Sequence, residues 1–361
     1  MSKLLKKLIV KIHKYLEMRQ KKHEITRKFK YLNERRKLTK EQKKEIQDFY
    51  LSVIGKKIPL YGHEYFYSRN GIFSKYYIPS TLYLCDLLPK ANDQKLSPFF
   101  ADKNFTELLF PGENIVHSFL KNINGYYYYD DKPVSEEEAV LRCQNMNEVI
   151  IKPSRESKGN GVQLITVKDG IIDKDGKSIH QLFKKYKMNF LLQNRVHQHK
   201  DMAALNPSSL NTLRILSYRS GMEVLIIYSV VRIGRSGQVI DNQSAGGLST
   251  TISSDGKLGK FSYGKVGSDN IEETDTGIRL EGYQIPSYDK AIEFVKRLHY
   301  RLPFFHIIGW DVAIEENGEP ILIEFNTKPG LSQSAFGSGL GEYTERIIRE
   351  LWLRPNTKYP D

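Results

Sequence analysis

The chain has 361 residues, 40% of them hydrophobic and 27% charged, a balance that excludes an intrinsically disordered protein and suits two or three fused lobes. Its longest apolar runs, such as residues 224–228, are as long as a strand and far shorter than the roughly 18 residues of a membrane-spanning helix. The first residues lack the apolar stretch and cleavage site of a secretory signal, and Cys85 and Cys143 lie far apart. We therefore expect a cytoplasmic protein with two reduced, structural cysteines.

The positive charge is placed unevenly along the chain. Residues 1–50 carry 17 Lys and Arg against 6 Asp and Glu, whereas residues 51–361 carry 38 against 36. The basic character therefore belongs to the N-terminal part of the chain, and the rest has the near-neutral charge of an ordinary enzyme.

The first predicted element is a long basic helix over residues 3–37. Lysines surround an apolar stripe that recurs at helical spacing and consists of Leu5, Leu8, Ile9, Ile12 and Leu16. Such a helix can lie in a membrane interface with its lysines near anionic headgroups, so we expect residues 1–37 to reach the inner face of the membrane. The alternative is that the stripe packs on the catalytic lobes or on a second copy of the helix. No nucleic acid is expected, because the arm lacks aromatic residues spaced for base stacking.

A capping box predicts the second helix. Thr39 with Gln42 marks its start, and Gly55 its end. Residues 56–100 are rich in Tyr, Pro and Phe and show no clean period, so we expect them to be irregular. Ser135 with Glu138 predicts another short helix, through residue 146.

From residue 149 the pattern changes to strands separated by tight loops. Strands are expected over residues 149–152, 162–167, 189–193, 211–218 and 223–233. An amphipathic helix begins at Ser287, and a hairpin occupies residues 309–326. Strands and helices mixed in this order predict an α/β or α+β fold.

The hairpin at 309–326 contains a candidate metal site. A two-residue loop at Asn317-Gly318 would place Glu316 opposite Glu319 and Asp311 opposite Glu324. Asn326 would then lie on the same face, while Ala313 and Leu322 would form the next pair and make the rest of that face apolar.

Two carboxylates held face to face repel each other unless positive charge lies between them. Mg²⁺, which takes oxygen ligands, would supply that charge, so Asp311, Glu324 and Asn326 are the candidate metal ligands. The alternative is the solvated polar face of an edge hairpin.

A second candidate site is a polar loop between two strands. Lys152 ends the first strand, and Gly159 and Gly161 lie in the loop that leads to the next. Such a loop can place backbone N–H groups on phosphate oxygens, with the lysine adding a positive charge. An ordinary hairpin with exposed charges is the alternative reading.

Two arginines lie on apolar strands and need anionic partners. Arg214 falls inside the strand 211–218 and Arg232 at the end of the next strand, and the partner of each is either a protein carboxylate or a phosphate. Residues 241–249 offer small side chains and backbone donors, as anion-binding loops do, although a plain flexible loop has the same composition. His197 and His199 lack a third ligand at fitting spacing, so we expect solvated or hinge histidines.

Taken together, these residues resemble the ATP-grasp superfamily in their order along the chain. Residues 197–215, GWDVAI and LIEFNTKPG are similar, more narrowly, to the sugar-transfer-associated ATP-grasp family, which is glutamate ligase-like and linked with bacterial surface polysaccharides such as capsule and O-antigen. The resemblance covers about residues 100–345. It implies an α+β ATP-grasp fold with two α/β lobes and nucleotide between them, ATP and Mg²⁺ as cofactors, and an N-terminal basic helical extension.

The resemblance also implies a role for each matched position. Lys103 and Lys152 resemble the phosphate-contacting lysines, and Arg214 resembles the arginine at the transferring phosphate. The other implied nucleotide contacts are Gly159, Gly161, Gln193, Asn194, Val196, His197 and Asp201. The implied metal ligands are Asp311, Glu324 and Asn326, and the implied contacts of the second substrate are Arg232, Asn242, Gly246, Gly247 and Lys328. The family commonly has an acidic residue where this chain has Gln193-Asn194.

The activity that the resemblance implies is a ligase. A carboxylate attacks the γ-phosphate to give an acylphosphate, and an amine then displaces phosphate; the expected partners are a sugar, sugar-nucleotide or lipid-linked carboxylate and an amine or amino acid. The alternatives are a phosphotransferase acting on a sugar or related acceptor, and a non-catalytic membrane-surface binding module. The expected division is a basic extension (1–55), an N-terminal region (56–148), a small lid (149–200) and a C-terminal catalytic lobe (201–361).

Overall fold

The computed structural model describes residues 3–32, 34–156, 159–174, 176–235, 237, 246–264 and 269–354. Helices in these residues are α1 (Lys3–Lys28), α2 (Lys40–Ile54), α3 (Tyr61–Asn70), α4 (Ser80–Leu82), α5 (Leu88–Ala91), α6 (Ser97–Phe100), α7 (Thr106–Leu109), α8 (Glu136–Arg142), α9 (Ile179–Tyr186), α10 (Lys200–Leu205), α11 (Tyr288–His299), α12 (Gln333–Phe336) and α13 (Thr344–Leu353). A π-helical turn (Tyr83–Leu87) joins α4 to α5, and 3₁₀ turns occupy Phe29–Tyr31 and Lys103–Phe105.

The described residues contain fifteen strands, and all but the last form three antiparallel sheets. They are β1 (Leu120–Ile123), β2 (Tyr126–Tyr129), β3 (Lys132–Val134), β4 (Met146–Pro153), β5 (Gln163–Lys168), β6 (Ile171–Ile172), β7 (Phe190–Asn194), β8 (Thr212–Ser220), β9 (Glu223–Ile233), β10 (Leu248–Ile252), β11 (Ser262–Tyr263), β12 (Asp269–Ile271), β13 (Ile307–Ile314), β14 (Pro320–Asn326) and β15 (Gly339–Glu342). The antiparallel pairing, with helices packed beside the sheets, makes the fold α+β, as expected.

The first sheet has seven strands in the order β3-β2-β1-β7-β4-β5-β6, and we call it the lid sheet. Its core includes Cys143 beside α8, Phe183 on α9 and Ile151 on β4, all fully buried. The domain boundary expected between residues 148 and 149 falls inside β4, and β1–β3 pair into the same sheet. The pairing across the sheet thus joins residues 120–134 to the strands after 149.

The second sheet has five strands in the order β10-β9-β8-β13-β14, and we call it the body sheet. Side chains alternate across its strands, so the sheet separates two cores. Ile215 and Trp310 face α11, whereas Leu216 and Ile307 face α2 and α13. The cavity described below lies where the polar residues on the α2 side of this sheet face the lid sheet.

The N-terminal helices agree with the sequence analysis in part. The capping box of Thr39 and Gln42 forms, and Gly55 ends α2 with a left-handed backbone, as predicted. The helix of the basic arm ends at Lys28, before a 3₁₀ turn, rather than at residue 37. The helix that starts after Ser135 ends at Arg142, because β4 begins at Met146.

The prediction that residues 56–100 are irregular is wrong. Helices α3 to α6 occupy much of this segment, and α3 buries residues on several sides, including Tyr65 and Phe66. A helix that is buried on several sides shows no amphipathic stripe, which is why its period was not visible. Ile25 of α1 packs with the aromatic residues of this segment. No helix among the described residues is long and apolar enough to cross a membrane.

Candidate nucleotide and metal site

A cavity of about 310 Å³ lies between the lid sheet and the body sheet. Much of its wall is apolar, and a row of charged residues lies at its margin. The apolar wall consists of Val116, Ile150, Val162, Leu164, Leu210 and Ile323. An apolar slot that ends in charged groups suits a ligand with a flat ring at one end and anionic groups at the other.

The alternation of β4 places Lys152 in this cavity. Val149 and Ile151 point into the lid core, so Ile150 and Lys152 point to the cavity. The Lys152 side chain is buried, and no hydrogen bond or ion pair of its ammonium is found among the described residues. Burial, together with the nearby ammonium of Lys103, lowers the pKa of Lys152 to about 8, although Glu324 opposes the shift. A buried cation without a partner is a site for an anion.

Lys103 contacts residues that follow strand β4 of the lid sheet and a residue of the body sheet. It lies in a 3₁₀ turn whose backbone N–H donates to the Ser154 carbonyl (3.0 Å) at the end of β4. Its ammonium donates to the Glu156 carbonyl (2.8 Å) and lies 3.5 Å from the Glu324 carboxylate. The two lysines therefore converge on the cavity from different elements.

The body sheet contributes a row of charged residues across four adjacent strands. Arg214 on β8 pairs directly with Asp311 on β13, and Asp311 pairs with Glu324 on β14. The Arg214 guanidinium donates two hydrogen bonds to the Asp311 carboxylate (2.6 and 2.7 Å), and Arg232 on β9 donates a third (3.2 Å). Burial alone would raise the pKa of Asp311, but these guanidiniums outweigh it and lower the pKa to about 2.

This pairing answers a question that the sequence left open. The anionic partner of Arg214 is a protein carboxylate, and the same carboxylate is a partner of Arg232. The repulsion between Asp311 and Glu324 is therefore relieved by arginine and lysine side chains in this structure. The repulsion thus does not by itself require a metal ion, and the prediction of a metal site rests on the donor atoms.

The hairpin has the predicted Asp311–Glu324 pair but a different loop. Glu315 pairs with Glu319 through a backbone hydrogen bond (2.9 Å), so the loop has three residues rather than the expected Asn317-Gly318, and Glu316 does not pair with Glu319. A bulge between Asp311 and Val312 shifts the register by one residue. The shift restores the expected pair at Asp311.

The bulge also changes the neighbours of the acidic pair. Ala313 lies opposite Ile321, and Val312 lies opposite Leu322, so Ala313 and Leu322 do not form the expected next pair. Gly309 pairs with Asn326 and lets Pro329 pack closely against the strand, because a Cβ at this position would lie 2.9 Å from the Pro329 Cβ.

The residues at this end of the cavity fit a hard divalent cation. Asp311 and Glu324 supply carboxylate oxygens on adjacent strands, and Asn326 follows two residues after Glu324. The Asn326 carboxamide nitrogen is a buried donor without an acceptor among the described residues, so it fits beside an oxygen of a bound ligand, and only the Asn326 carbonyl oxygen could ligate the metal. Such oxygen donors are those that Mg²⁺ prefers, although no cluster of three His, Cys, Asp or Glu side chains is found in the described part of the chain.

The family model described as sugar-transfer associated ATP-grasp matches residues 84–349. The chain belongs to this family. No curated protein is similar enough in sequence to count as a match.

Several solved structures are similar to the chain at low identity. D-cycloserine synthetase DcsG is 10% identical with a TM-score of 0.44, over 72% of this chain and 73% of that one. The ATP-grasp ligase PsnB with its minimal precursor is 11% identical with a TM-score of 0.42, over 73% of this chain. D-alanyl-alanine synthetase A from Vibrio cholerae is 13% identical with a TM-score of 0.42, over 71% of this chain and 66% of that one. The match spans 64% of the PsnB chain.

The end of β7 and the segment that follows it line the cavity in this ATP-grasp chain. Gln193, Asn194, Val196 and His197 all contribute to the wall. The Gln193 amide nitrogen donates to the Val116 carbonyl (3.1 Å) and to the Ser118 hydroxyl (3.0 Å). Because the Val116 carbonyl can only accept, these bonds assign the nitrogen and the oxygen of the Gln193 amide, and they hold the side chain in one orientation.

Of the predicted site residues not yet described, only Gly159 lines the cavity in the described part of the chain. Asp201 is the second residue of α10, with its carboxylate 3.5 Å from the His199 ring, and Lys328 is exposed. Gly161 packs where a Cβ would lie 2.9 Å from the Pro153 ring, whereas Gly159 lines the cavity. The remaining predicted residues outside the cavity lining are Arg214, Asn326, Gly246 and Gly247. Asn242 lies outside the described residues.

The sequence analysis missed several residues of the wall. Ile150 and Leu164 are cross-strand partners on the lid sheet, and their place follows from the same alternation that selects Lys152. Arg195 also lines the cavity and donates to the Glu148 carboxylate. Glu316 reaches the wall because the backbone N–H of the hairpin loop donates to the His197 carbonyl (3.1 Å), a contact that no local pattern could indicate.

Proposed function

We propose that this chain is an ATP- and Mg²⁺-dependent ligase that activates a carboxylate as an acylphosphate and joins it to an amine. The observation that carries the proposal is the buried Lys152, whose ammonium has no hydrogen bond or ion pair among the described residues and lies near Lys103 in a partly apolar cavity. Membership in the ATP-grasp family supports the nucleotide, because the cavity lies between the two sheets of that fold.

The two ends of the cavity suggest how ATP would lie. The adenine ring would fit between Ile150 and Leu164 of the lid sheet and Ile323 of the body sheet. The triphosphate would then reach Lys103 and Lys152, whose ammonium groups would hold its oxygens by charge-assisted hydrogen bonds. Asp201, Gly159 and the backbone of residues 193–197 remain the proposed ribose, phosphate and adenine contacts.

Asp311, Glu324 and Asn326 would hold Mg²⁺, which when bound offsets charge on the phosphate oxygens. A carboxylate oxygen of the acceptor attacks the γ-phosphorus, and the bond from that phosphorus to the ADP oxygen breaks. Lys103, Lys152 and Arg232 would stabilise the negative charge that develops on the transferred group. The lid sheet would exclude water, which would otherwise hydrolyse the acylphosphate. The amine then attacks the acyl carbon, and inorganic phosphate leaves.

We propose a sugar, sugar-nucleotide or lipid-linked carboxylate as the acceptor and an amine or amino acid as the donor, in capsule or O-antigen synthesis. The family description, sugar-transfer associated, supports this choice. Arg232 lines the cavity beside Asp311 and is the proposed acceptor contact. Gly246, Gly247, Lys328 and Asn242 remain proposed acceptor contacts as well.

Product analysis tests this function. Purified full-length chain is incubated with ATP, Mg²⁺ and pairs of candidate acids and amines, and ADP and inorganic phosphate are followed separately. A ligase releases inorganic phosphate only when acid and amine are both present. Phosphate retained on the acceptor would instead establish a phosphotransferase, and no nucleotide turnover with any pair would favour a non-catalytic binding module.

We also propose that α1 docks the enzyme on an anionic membrane from the cytoplasmic side. Leu5, Ile12 and Leu16 of the predicted stripe are all exposed, whereas Ile25 near the end of the helix is buried against the body. The side chains of Leu8 and Ile9 lie outside the described residues. Exposed apolar residues on a strongly basic segment suit an interface with anionic lipid.

Liposome co-sedimentation tests the docking. The full chain should sediment with anionic liposomes at low salt, and the variant Leu5→Ser/Ile12→Ser/Leu16→Ser should not. If both forms stay in solution, the exposed stripe should be sought in a protein interface.

A further inference from the structure

We propose that the cations of this site keep Mg²⁺ out until a nucleotide is bound, with Lys103 as the residue that blocks Glu324. The inference rests on the proposed ATP site and adds an order of binding to it. Lys103 is a positioning residue here, because it would act on the metal through Glu324.

Asp311 offers little free negative charge to a metal ion. The Arg214 guanidinium contacts both of its carboxylate oxygens, and Arg232 contacts one of them. The carboxylate is buried, so water does not screen these ion pairs as it would at the surface. A metal ion approaching Asp311 meets two guanidinium groups that cannot lose their charge.

Glu324 is paired in a similar way. The Lys103 ammonium lies 3.5 Å from its carboxylate and is also anchored on the Glu156 carbonyl of the lid loop at 2.8 Å. Lys152 is close enough to the Lys103 ammonium and the Glu324 carboxylate for their charges to affect the pKa of Lys152. Four cations thus surround two carboxylates, and the cluster carries a formal charge of +2 when Lys152 is protonated.

A cluster with this charge repels a free divalent cation and attracts a polyphosphate. When the triphosphate arrives, its oxygens can replace Glu324 as the partner of Lys103. The Glu324 carboxylate is then free for the metal, and the phosphates reverse the sign of the local charge. Glu156 and Glu316 also line the cavity, but neither carboxylate is among the charges that shift the pKa of Lys152 or of Asp311.

Mn²⁺ is a suitable probe, because electron paramagnetic resonance measures its free concentration directly. The full-length chain is titrated with Mn²⁺ in the absence and presence of a non-hydrolysable ATP analogue. We expect the analogue to increase the affinity for Mn²⁺ at least tenfold. Lys103→Met should increase the affinity of the nucleotide-free protein for Mn²⁺ at least tenfold, and Lys103→Arg, which keeps the charge, should not.

Two control variants test whether the increase in Mn²⁺ affinity arises at this site. Lys290→Met breaks a 2.6 Å ion pair with Glu319 on the exposed side of the hairpin, and it should leave Mn²⁺ binding unchanged. Adding Glu324→Gln to Lys103→Met should remove the gain. A gain that persists in the double variant, or a similar gain with Lys290→Met, would overturn the proposal.

The outcomes separate this inference from the proposed function. Binding of the analogue is measured by calorimetry in the presence of a chelator, where we expect it to persist without metal. If the analogue binds but the nucleotide-free wild type takes up Mn²⁺ within tenfold of the complex, the order of binding is wrong and the ATP site stands. If the analogue does not bind with or without metal, both are wrong.

Discussion

Nucleotide binding should draw a proton from solution onto Lys152. The pKa of this lysine is lowered to about 8 from an ordinary value of 10.5, mainly by burial. That difference corresponds to about 3 kcal/mol of disfavoured charge, an upper figure for one buried group. A triphosphate beside the ammonium removes much of this cost and raises the pKa again. At pH 8 about half of the free protein has a neutral Lys152, so binding should take up about half a proton, and more at pH 9.

Calorimetric titrations in two buffers with different ionisation enthalpies measure this uptake. The apparent binding enthalpy of an ATP analogue should depend on the buffer at pH 8 to 9, and the affinity should fall as the pH rises above about 8. Lys152→Arg keeps its charge throughout this range, so its binding enthalpy should not depend on the buffer. A wild-type enthalpy that is also independent of the buffer would refute the account of Lys152.

Three further variants test the charged residues of the site. Lys152→Met should raise the free energy of unfolding of the nucleotide-free protein at pH 7 by up to about 3 kcal/mol. The cost of burying the charge is complete below pH 8 and vanishes above pH 10.5, so urea denaturation at pH 7 and above pH 10.5 should show the gain only at pH 7. A variant that is no more stable than the wild type at pH 7 would contradict the burial argument. Arg214→Ala should cost about 3–5 kcal/mol of stability in the same assay by leaving Asp311 buried without its main partner, whereas a purely ligand-directed arginine would leave the unfolding midpoint unchanged. Glu324→Gln should keep the melting temperature near that of the wild type and abolish Mg²⁺-dependent ADP formation, and wild-type turnover in that variant would exclude Glu324 as a metal ligand.

The acidic pair of the hairpin was predictable because strand alternation has a period of two. Asp311 and Glu324 face each other as expected, yet the three-residue loop and the bulge after Asp311 were not visible in the sequence. Each shifts the register by one residue, so the expected pairs form from Asp311 back to Gly309, whereas the pairs between the bulge and the loop differ by one residue. A correct pair was thus predicted from a loop that does not form.

The partners of the arginines could not be predicted because they come from distant parts of the chain. Arg214 and Asp311 are 97 residues apart and meet because β8 pairs with β13. No local pattern states which strands become neighbours in a sheet. The same limit applies to the lid sheet, where β1 pairs with β7 across the segment that contains β4 and β5.

The family and the fold were accessible because late motifs such as GWDVAI and LIEFNTKPG are specific to it. The helices between residues 61 and 100 were not, because a helix buried on several sides has no polar face to reveal its period. The caps at Thr39 and Ser135 revealed α2 and α8, and the amphipathic spacing revealed α11, which starts without a side-chain cap at Ser287.

The most direct test of the central claim is a structure of the full chain with a non-hydrolysable ATP analogue. We predict an adenine ring between Ile150 and Ile323 and phosphate oxygens within hydrogen-bond distance of the Lys103 and Lys152 ammonium groups. An analogue bound outside this cavity, or one with its base at the lysines and its phosphates in the apolar slot, would contradict the proposed site.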